Sequence, residues 1–144
     1  MHLVDVYSEP RAISVLYEIM AERPPESWIS HEAMPTLEAH KLFVAMRPFR
    51  LWLLIQVQAA FVGAIEATDR NELGISILKR FQRHGYGRTA LTMFLRDYPP
   101  LPPIPAIRNG KWLANIAVNN VASAEFFGEM GFVPLQETWV RRDD

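Results

Sequence analysis

Apolar side chains in the first third of the chain are spaced three or four positions apart. This spacing predicts a helix over residues 12–20, which Pro24 and Pro25 would end. A second helix is predicted over residues 36–46, with Thr36 as its N-cap. Residues 2–7, ahead of both helices, are expected to form a short strand.

Continuous apolar runs replace the helical spacing in the middle of the chain. They cover residues 51–57, 60–67 and 73–78, and short polar breaks separate them. Such short connections cannot carry the chain over to a parallel neighbour, so consecutive antiparallel strands are predicted.

Helical spacing returns after Gly87. A helix is predicted there, and Pro99 and Pro100 end it before a proline-rich, irregular segment over residues 101–107. Its apolar stripe consists of Ala90, Leu91, Phe94 and Leu95.

The last third of the chain is predicted to contain a strand, a helix and one or two further strands. The strand covers residues 112–118, and the helix begins at Asn120 as N-cap and ends at Gly131. Residues 132–140 supply the final strands. The order predicts a single α/β domain of the α+β type over residues 1–144, with a central, mixed but mostly antiparallel sheet flanked by helices.

Composition narrows the class of protein. Hydrophobic residues make up 49 % and charged residues 22 %, which is enough for a packed core. The net charge of −1 argues against a general nucleic-acid binder. The chain has no cysteine, no signal-peptide pattern at its start and no apolar run long enough to span a membrane, so we expect a cytoplasmic protein without a membrane partner.

The candidate chemistry lies where a predicted strand runs through a glycine loop into a helix. Gly85 and Gly87 let backbone amides converge on one point, and the new helix adds its unpaired first-turn amides. Basic residues surround this loop, although the chain is otherwise slightly acidic: Lys79, Arg80, Arg83 and Arg88. The pattern favours a phosphate site, and a tight solvated turn is the alternative.

The loop sequence Gln82-Arg-His-Gly-Tyr-Gly87 resembles the Gln/Arg-x-x-Gly-x-Gly/Ala signature of the GNAT superfamily of N-acetyltransferases. The resemblance implies the GNAT fold, with acetyl-CoA as co-substrate and without a metal. It implies that Ile77 and Leu78 pair with the pantetheine arm. It also implies that the loop holds the pyrophosphate through Gln82, Arg83, His84, Gly85, Tyr86, Gly87 and Arg88.

A second segment, Asn120 to Phe132, is similar to the family's Asn-x-x-Ser-x-x-x-Tyr-x-x-x-Gly-Phe block. The spacing agrees throughout, but Phe127 stands at the tyrosine position. The resemblance implies that Asn120 and Phe127 face the cofactor. The sequence resemblance to the family extends from about Phe61 to the end of the chain and is weak over the first 50 residues.

Acetyl transfer to an amine requires a base and a donor for the carbonyl oxygen. Glu72 is predicted as the base, because several relatives carry a glutamate at this strand start, and Glu66 is the alternative base or a substrate-binding residue. Strand alternation places Glu72, Gly74 and Ser76 on one face. A free backbone N–H near Ile77 or Leu78 is expected to serve the oxyanion.

The sequence does not identify the general acid that protonates the leaving thiolate. Phe127 has no proton to give, so Tyr86, Ser123 or water could replace the usual tyrosine, or the thiolate leaves unassisted. His31 lies in the region that forms the acceptor wall in this family and is predicted to bind substrate.

These observations predict an N-acetyltransferase that acts on a primary amine of a small molecule, an aminosugar or a protein N-terminus, by direct attack in a ternary complex. The alternative is a catalytically silent acyl-CoA-binding module, which Phe127 makes plausible. A P-loop protein is disfavoured because no Gly-x-x-x-x-Gly-Lys-Ser/Thr motif occurs. A homodimer is possible, because the short C-terminal strand could pair at a sheet edge.

Overall fold

The computed structural model describes residues 1–23 and 33–143. Its strands are β1 (His2–Asp5), β2 (Leu51–Val57), β3 (Ala60–Ala67), β4 (Glu72–Ile77) and β5 (Leu113–Ala114). Its α-helices are α1 (Ala12–Glu22), α2 (Leu37–Ala45), α3 (Tyr86–Asp97) and α4 (Val121–Glu129). Short 3₁₀ turns cover Val6–Ser8 and Lys79–Phe81.

The strands form one five-stranded sheet in the order β1-β2-β3-β4-β5. Neighbours from β1 to β4 are antiparallel, and β5 joins β4 in parallel. The predicted antiparallel series and the α+β class with a mixed, mostly antiparallel sheet are therefore confirmed. The crossover between β4 and β5 carries α3, as a parallel connection requires.

Helices cover both faces of the sheet. One face packs against α1 and α2 through Leu16, Ile19 and Val44, and the other packs against α3 through Leu91 and Phe94. Strand alternation assigns the side chains of β4 to these faces as predicted. Leu73, Ile75 and Ile77 point to the α3 side.

The helix caps follow the sequence predictions. Thr36 Oγ1 accepts a hydrogen bond from the Ala39 amide at 3.1 Å, and Asn120 Oδ1 accepts one from the Ser123 amide at 3.2 Å. Gly131, after α4, has a φ of 91°. These side chains and this glycine satisfy helix-end groups that would otherwise lack partners.

Three strand predictions are wrong in extent. The first strand stops at Asp5, because the Asp5 carboxylate accepts from the Tyr7 amide and starts a 3₁₀ turn. The strand predicted over residues 112–118 is reduced to Leu113–Ala114, since β5 leaves β4 after these two residues.

The final strands predicted over residues 132–140 are absent from the described part of the chain. Apolar side chains that would have packed on the sheet are exposed instead, including Val133 (81 %) and Trp139 (86 %). A β5 of two residues offers almost no ladder to which a further strand could pair, so residues 132–140 lack a template.

Candidate functional site

The glycine loop joins the end of β4 to the start of α3. Arg83 (φ 64°) and Gly85 (φ 76°) both adopt the left-handed conformation, and this turns successive amides toward one side of the loop. The backbone amides of residues 83–88 donate no hydrogen bond to any acceptor in residues 1–23 and 33–143. A row of free amides at a helix start is suited to an anion such as a phosphate.

Side chains hold the loop in this shape. Gln82 Nε2 donates to the carbonyl of Ile77 at 2.9 Å and so ties the loop to the end of β4. His84 Nδ1 donates to the carbonyl of Gln82 at 2.8 Å, and its ring stacks on Tyr86 at a centroid distance of 5.4 Å. The loop is therefore formed before a ligand arrives.

The basic residues around the loop are used differently from one another. Arg88 Nη2 lies 2.9 Å from Glu129 of α4, and Arg80 pairs with Glu18 of α1. Arg83 is exposed and makes no ion pair with the described residues. Lys79 is also exposed and makes no ion pair with the described residues, so Lys79 and Arg83 are the cations available to an anion at the loop.

Next to the loop, β4 and β5 separate and leave a cavity of about 60 Å³, which we call the splay cavity. β4 contributes Gly74, Ile75 and Ser76 to its wall. Asn115, Asn120, Ser123 and Phe127 complete the side toward α4, and Arg23 and Glu66 complete the side toward α1. The wall of the cavity therefore includes residues from both sides of the sheet.

The amides of β4 alternate in direction. The Leu78 amide donates to the Val62 carbonyl at 2.9 Å, so it is not the free oxyanion donor that the sequence allowed. The side chain of Leu78 is 1 % exposed and packs in the core. The Ile77 amide points the other way, toward the space that β5 leaves open, and keeps the predicted role available.

Glu66 lies on β3, opposite Gly74 of β4 and Trp52 of β2. Its carboxylate extends across β4 above Gly74 and reaches the splay cavity. Burial raises the pKa of the Glu66 carboxyl group, and the positive charge of Arg23 opposes this rise in part. Such a group is typical of a functional site, because burial and a nearby charge together set its affinity for a proton.

Glu72, the predicted base, lies at the start of β4 and is held by two neighbours. Asn115 Nδ2 donates to Glu72 Oε2, and Thr68 Oγ1 lies 3.3 Å from Glu72 Oε1. Glu72 does not line the splay cavity. It borders a separate open groove beside residues 103–109.

The second block of the sequence signature contributes to the wall of the splay cavity. Asn120 and Phe127, predicted to face the cofactor, both line it, and Phe127 is buried. Ser123 lines the same cavity, whereas Tyr86 packs beside His84 on the loop. Ser123 is therefore better placed than Tyr86 to replace the missing tyrosine hydroxyl.

His31, predicted to bind substrate, lies outside the described residues. The importance of Gly74 was not recognised from the sequence, although an isolated glycine inside a strand often marks a close approach by another group.

Two further observations concern metal ligands and membrane-spanning helices. Residues 1–23 and 33–143 contain no cluster of three His, Asp or Glu side chains that could hold a metal ion. No helix in this part of the chain is both long and apolar enough to cross a membrane.

No protein-family model and no curated protein matches the sequence. Solved structures do match its fold. An acetyltransferase from Thermus thermophilus is 20 % identical with a TM-score of 0.70, and the match covers 94 % of this chain and 88 % of that one.

Two other similar structures are N-acetyltransferases. A ribosomal-protein-alanine N-acetyltransferase from Brucella melitensis is 17 % identical, with a TM-score of 0.61 and coverage of 91 % of this chain and 83 % of that one. An aminoglycoside 6′-N-acetyltransferase from Acinetobacter haemolyticus is also 17 % identical with a TM-score of 0.61, covering 100 % and 99 %. At these identities the similarity establishes the fold, which is that of the GNAT acetyltransferases.

Proposed function

We propose that this chain, which has the GNAT fold, is an acetyl-CoA-dependent N-acetyltransferase that acts on a primary amine. The observation that carries the proposal is the row of free amides at residues 83–88, placed beside the cavity where β4 and β5 separate. A phosphate-binding loop at one end and a cavity between strands at the other suit a long cofactor with a reactive tip.

The residues present fit coenzyme A by their chemistry. Free amides and the exposed Arg83 would hold the pyrophosphate, and the β4 edge near Ile77 would pair with the amide groups of pantetheine. Replacement of Gly87 by alanine would place a Cβ 3.5 Å from the Phe126 ring, an ordinary contact, so the fold itself tolerates a small residue there. Acetyl-CoA would supply an activated acyl group.

We propose direct transfer in a ternary complex, which a cavity lined by residues from both sides of the sheet would accommodate. Cofactor bound along the α3 and α4 side and amine approaching from the α1 and α2 side would meet in the splay cavity. Bringing the two reactants together in this way contributes much of the rate enhancement by itself. The Ile77 amide would stabilise the negative charge that develops on the carbonyl oxygen.

The acceptor class is proposed as a primary amine on a small molecule, an aminosugar or a protein N-terminus. One of the two similar N-acetyltransferases is named for aminoglycoside acetylation and the other for ribosomal-protein-alanine acetylation. Both names support acetylation of an amine, and they do not favour one acceptor. We also retain homodimer formation as a prediction, which the exposed apolar side chains of residues 133–140 support.

Two measurements test the proposal. Isothermal calorimetry should detect coenzyme A and acetyl-CoA binding, and ligand binding should raise the melting temperature. Release of free thiol from acetyl-CoA is then followed with a panel of aminosugars, aminoglycosides, polyamines and short peptides with free N-termini.

Each outcome has a distinct meaning. Binding together with amine-dependent thiol release supports the transferase. The protein sample must first have the correct mass. If it then binds acetyl-CoA but releases no thiol with any amine of the panel, the silent acyl-CoA-binding module that Phe127 suggested would be favoured. Absence of binding would overturn both.

A further inference from the structure

The splay cavity contains a carboxylate from an unexpected strand. Among the described residues that line this cavity, the acidic side chain is that of Glu66, on β3, and not that of Glu72, on β4. We infer that Glu66 is the residue that receives the acceptor amine in the splay cavity, first binding it as an ammonium ion and then accepting its proton. This inference rests on the proposed acetyl transfer.

The packing around Gly74 supports this role. β3 and β4 place Glu66 opposite Gly74, and a Cβ at position 74 would lie only 2.5 Å from Glu66 Oε1. The glycine thus provides the space through which the carboxylate crosses β4. A glycine inside a strand weakens the sheet, so the space serves the placement of Glu66 rather than the stability of the strand.

The direction of approach agrees with the chemistry. Glu66 reaches the cavity from the face covered by α1 and α2, opposite the side on which Asn120 and Phe127 lie. An amine entering from the α1 side would therefore meet the carboxylate before it meets the thioester. A carboxylate attracts the charged form of the amine and can then remove the proton that blocks its lone pair.

The step balances without any further reactant. The ammonium proton passes from nitrogen to the Glu66 carboxylate, directly or through one water, and the freed amine attacks the carbonyl carbon of acetyl-CoA. A C–N bond forms, the C–S bond breaks, and the electron pair of that bond leaves with sulphur as the thiolate of coenzyme A. The nitrogen loses its second proton to solvent, and the thiolate takes up one proton from solvent. Glu66 then returns its proton to solvent, so the carboxylate is regenerated and one proton is released overall.

Glu72 has a structural role if Glu66 is the proton acceptor. Asn115 donates to its carboxylate, and Asn115 follows directly after the short pairing of β5 with β4. Glu72 is therefore a positioning residue that fastens the end of β5, where the opening of the cavity begins.

The electrostatic surroundings suit a proton acceptor. Burial raises the pKa of Glu66, which makes the carboxylate a stronger base than an exposed one. Arg23, from the end of α1, is the charged group that acts on it. The neighbours from the sheet are neutral: Trp52 on β2, Gly74 and Ser76 on β4, and Asn115 after β5.

The experiment compares Glu66→Gln with Glu72→Gln, which make the same isosteric change on adjacent strands. Glu137→Gln, in the exposed C-terminal segment, controls for the loss of one negative charge. With the best amine of the panel, Glu66→Gln should lower kcat/KM for the amine by roughly 10²-fold. Acetyl-CoA affinity in calorimetry should not change, because Glu66 lies away from the glycine loop.

A second readout does not depend on turnover. Because the pKa of folded Glu66 is raised, its contribution to stability is fully present below its unfolded pKa and is lost as pH rises through the folded value. Glutamine does not titrate. Glu66→Gln should therefore melt at a higher temperature than the wild type at pH 8, and this difference should disappear toward about pH 4.

The outcomes separate this inference from the proposed function. If the wild type turns over an amine and Glu66→Gln does so equally well, the inference is overturned and the proposed function stands. If only Glu72→Gln loses activity, Glu72 is the base, and the inference about Glu66 is overturned as well. If the wild type binds acetyl-CoA but acetylates no amine, the proposed function fails and the role of Glu66 fails with it.

Discussion

The carboxylate of Glu66 lies so close above Gly74 that a Cβ at position 74 would stand 2.5 Å from Glu66 Oε1. This contact leads to the first prediction. In Gly74→Ala the new methyl group should displace the end of a flexible side chain, which the fold tolerates, and it should move the carboxylate out of the splay cavity. We expect kcat/KM for the amine to fall by about tenfold or more while acetyl-CoA affinity is kept.

Gly128→Ala is the matched control for this substitution. Gly128 lies in α4, and its added Cβ would meet nothing within 4 Å. The control should keep wild-type activity and gain slightly in melting temperature, since alanine is the better helix former. Equal activity in Gly74→Ala and the wild type would show that the position of the Glu66 carboxylate does not matter for transfer.

The second prediction concerns the glycine loop. Gly85 has a φ of 76° and open space around its Cα, so Gly85→Ala meets no steric clash but must adopt a left-handed conformation. An L-residue pays about 1–2 kcal/mol for this conformation, and the loop should relax away from it. Coenzyme A affinity, measured by calorimetry, should fall by about tenfold or more, since the amides lose their common direction.

Gly131→Ala separates the effect of strain from the effect on the cofactor. Gly131 is also left-handed, with a φ of 91° and no atom within 4 Å of a built Cβ, but it follows α4. Both variants should lose stability, and only Gly85→Ala should lose coenzyme A affinity. Equal affinities in the two variants would contradict the phosphate role of the loop.

The third prediction concerns Phe127. Its ring is buried, lines the splay cavity and packs edge-to-face on Phe132 at 5.1 Å. Phe127→Tyr should change kcat by less than about tenfold, because the Ser123 hydroxyl already lines the same cavity and can replace the missing tyrosine hydroxyl. A rise above that range, in steady-state assays with a competent amine, would show that protonation of the leaving thiolate limits this protein.

The fourth prediction is a pH dependence of stability from His40. This residue of α2 is 1 % exposed, packs against the Tyr17 ring at 5.4 Å, and neither ring nitrogen makes a hydrogen bond of good geometry with the described residues. Burial lowers the pKa of His40, and the backbone of Ile13 opposes this only in part. The neutral ring therefore stabilises the fold above the unfolded pKa of about 6.5, and this stabilisation is lost as pH falls through the lower folded value.

His40→Phe tests whether His40 causes this pH dependence, because phenylalanine keeps an aromatic ring between α1 and α2 but cannot titrate. The wild type should lose melting temperature between pH 7.5 and pH 5, roughly the range that a buried histidine affects, and the variant should lose less. Parallel melting curves for the two proteins over this range would assign the acid sensitivity to other groups.

Local chemistry explains why much of the fold could be predicted. The three apolar runs, the Thr36 and Asn120 caps and the left-handed Gly131 depend on residues close to one another in the chain. Short polar breaks forced the antiparallel order of β2, β3 and β4. The prediction failed for residues 132–140, because a strand needs a partner with a free edge and β5 is only two residues long.

The same distinction applies to the candidate site. The sequence alone determined the glycine loop, because the spacing of Gln82, Gly85 and Gly87 sets backbone conformation locally. It favoured Glu72 as the base and kept Glu66 as the alternative, and both lie on one face of the sheet. Tertiary structure shows how their surroundings differ: β5 brings Asn115 to Glu72, and the missing side chain of Gly74 lets the Glu66 carboxylate reach the cavity. A carboxylate's role depends on which neighbours occupy its oxygens, and those neighbours come from strands far apart in the chain.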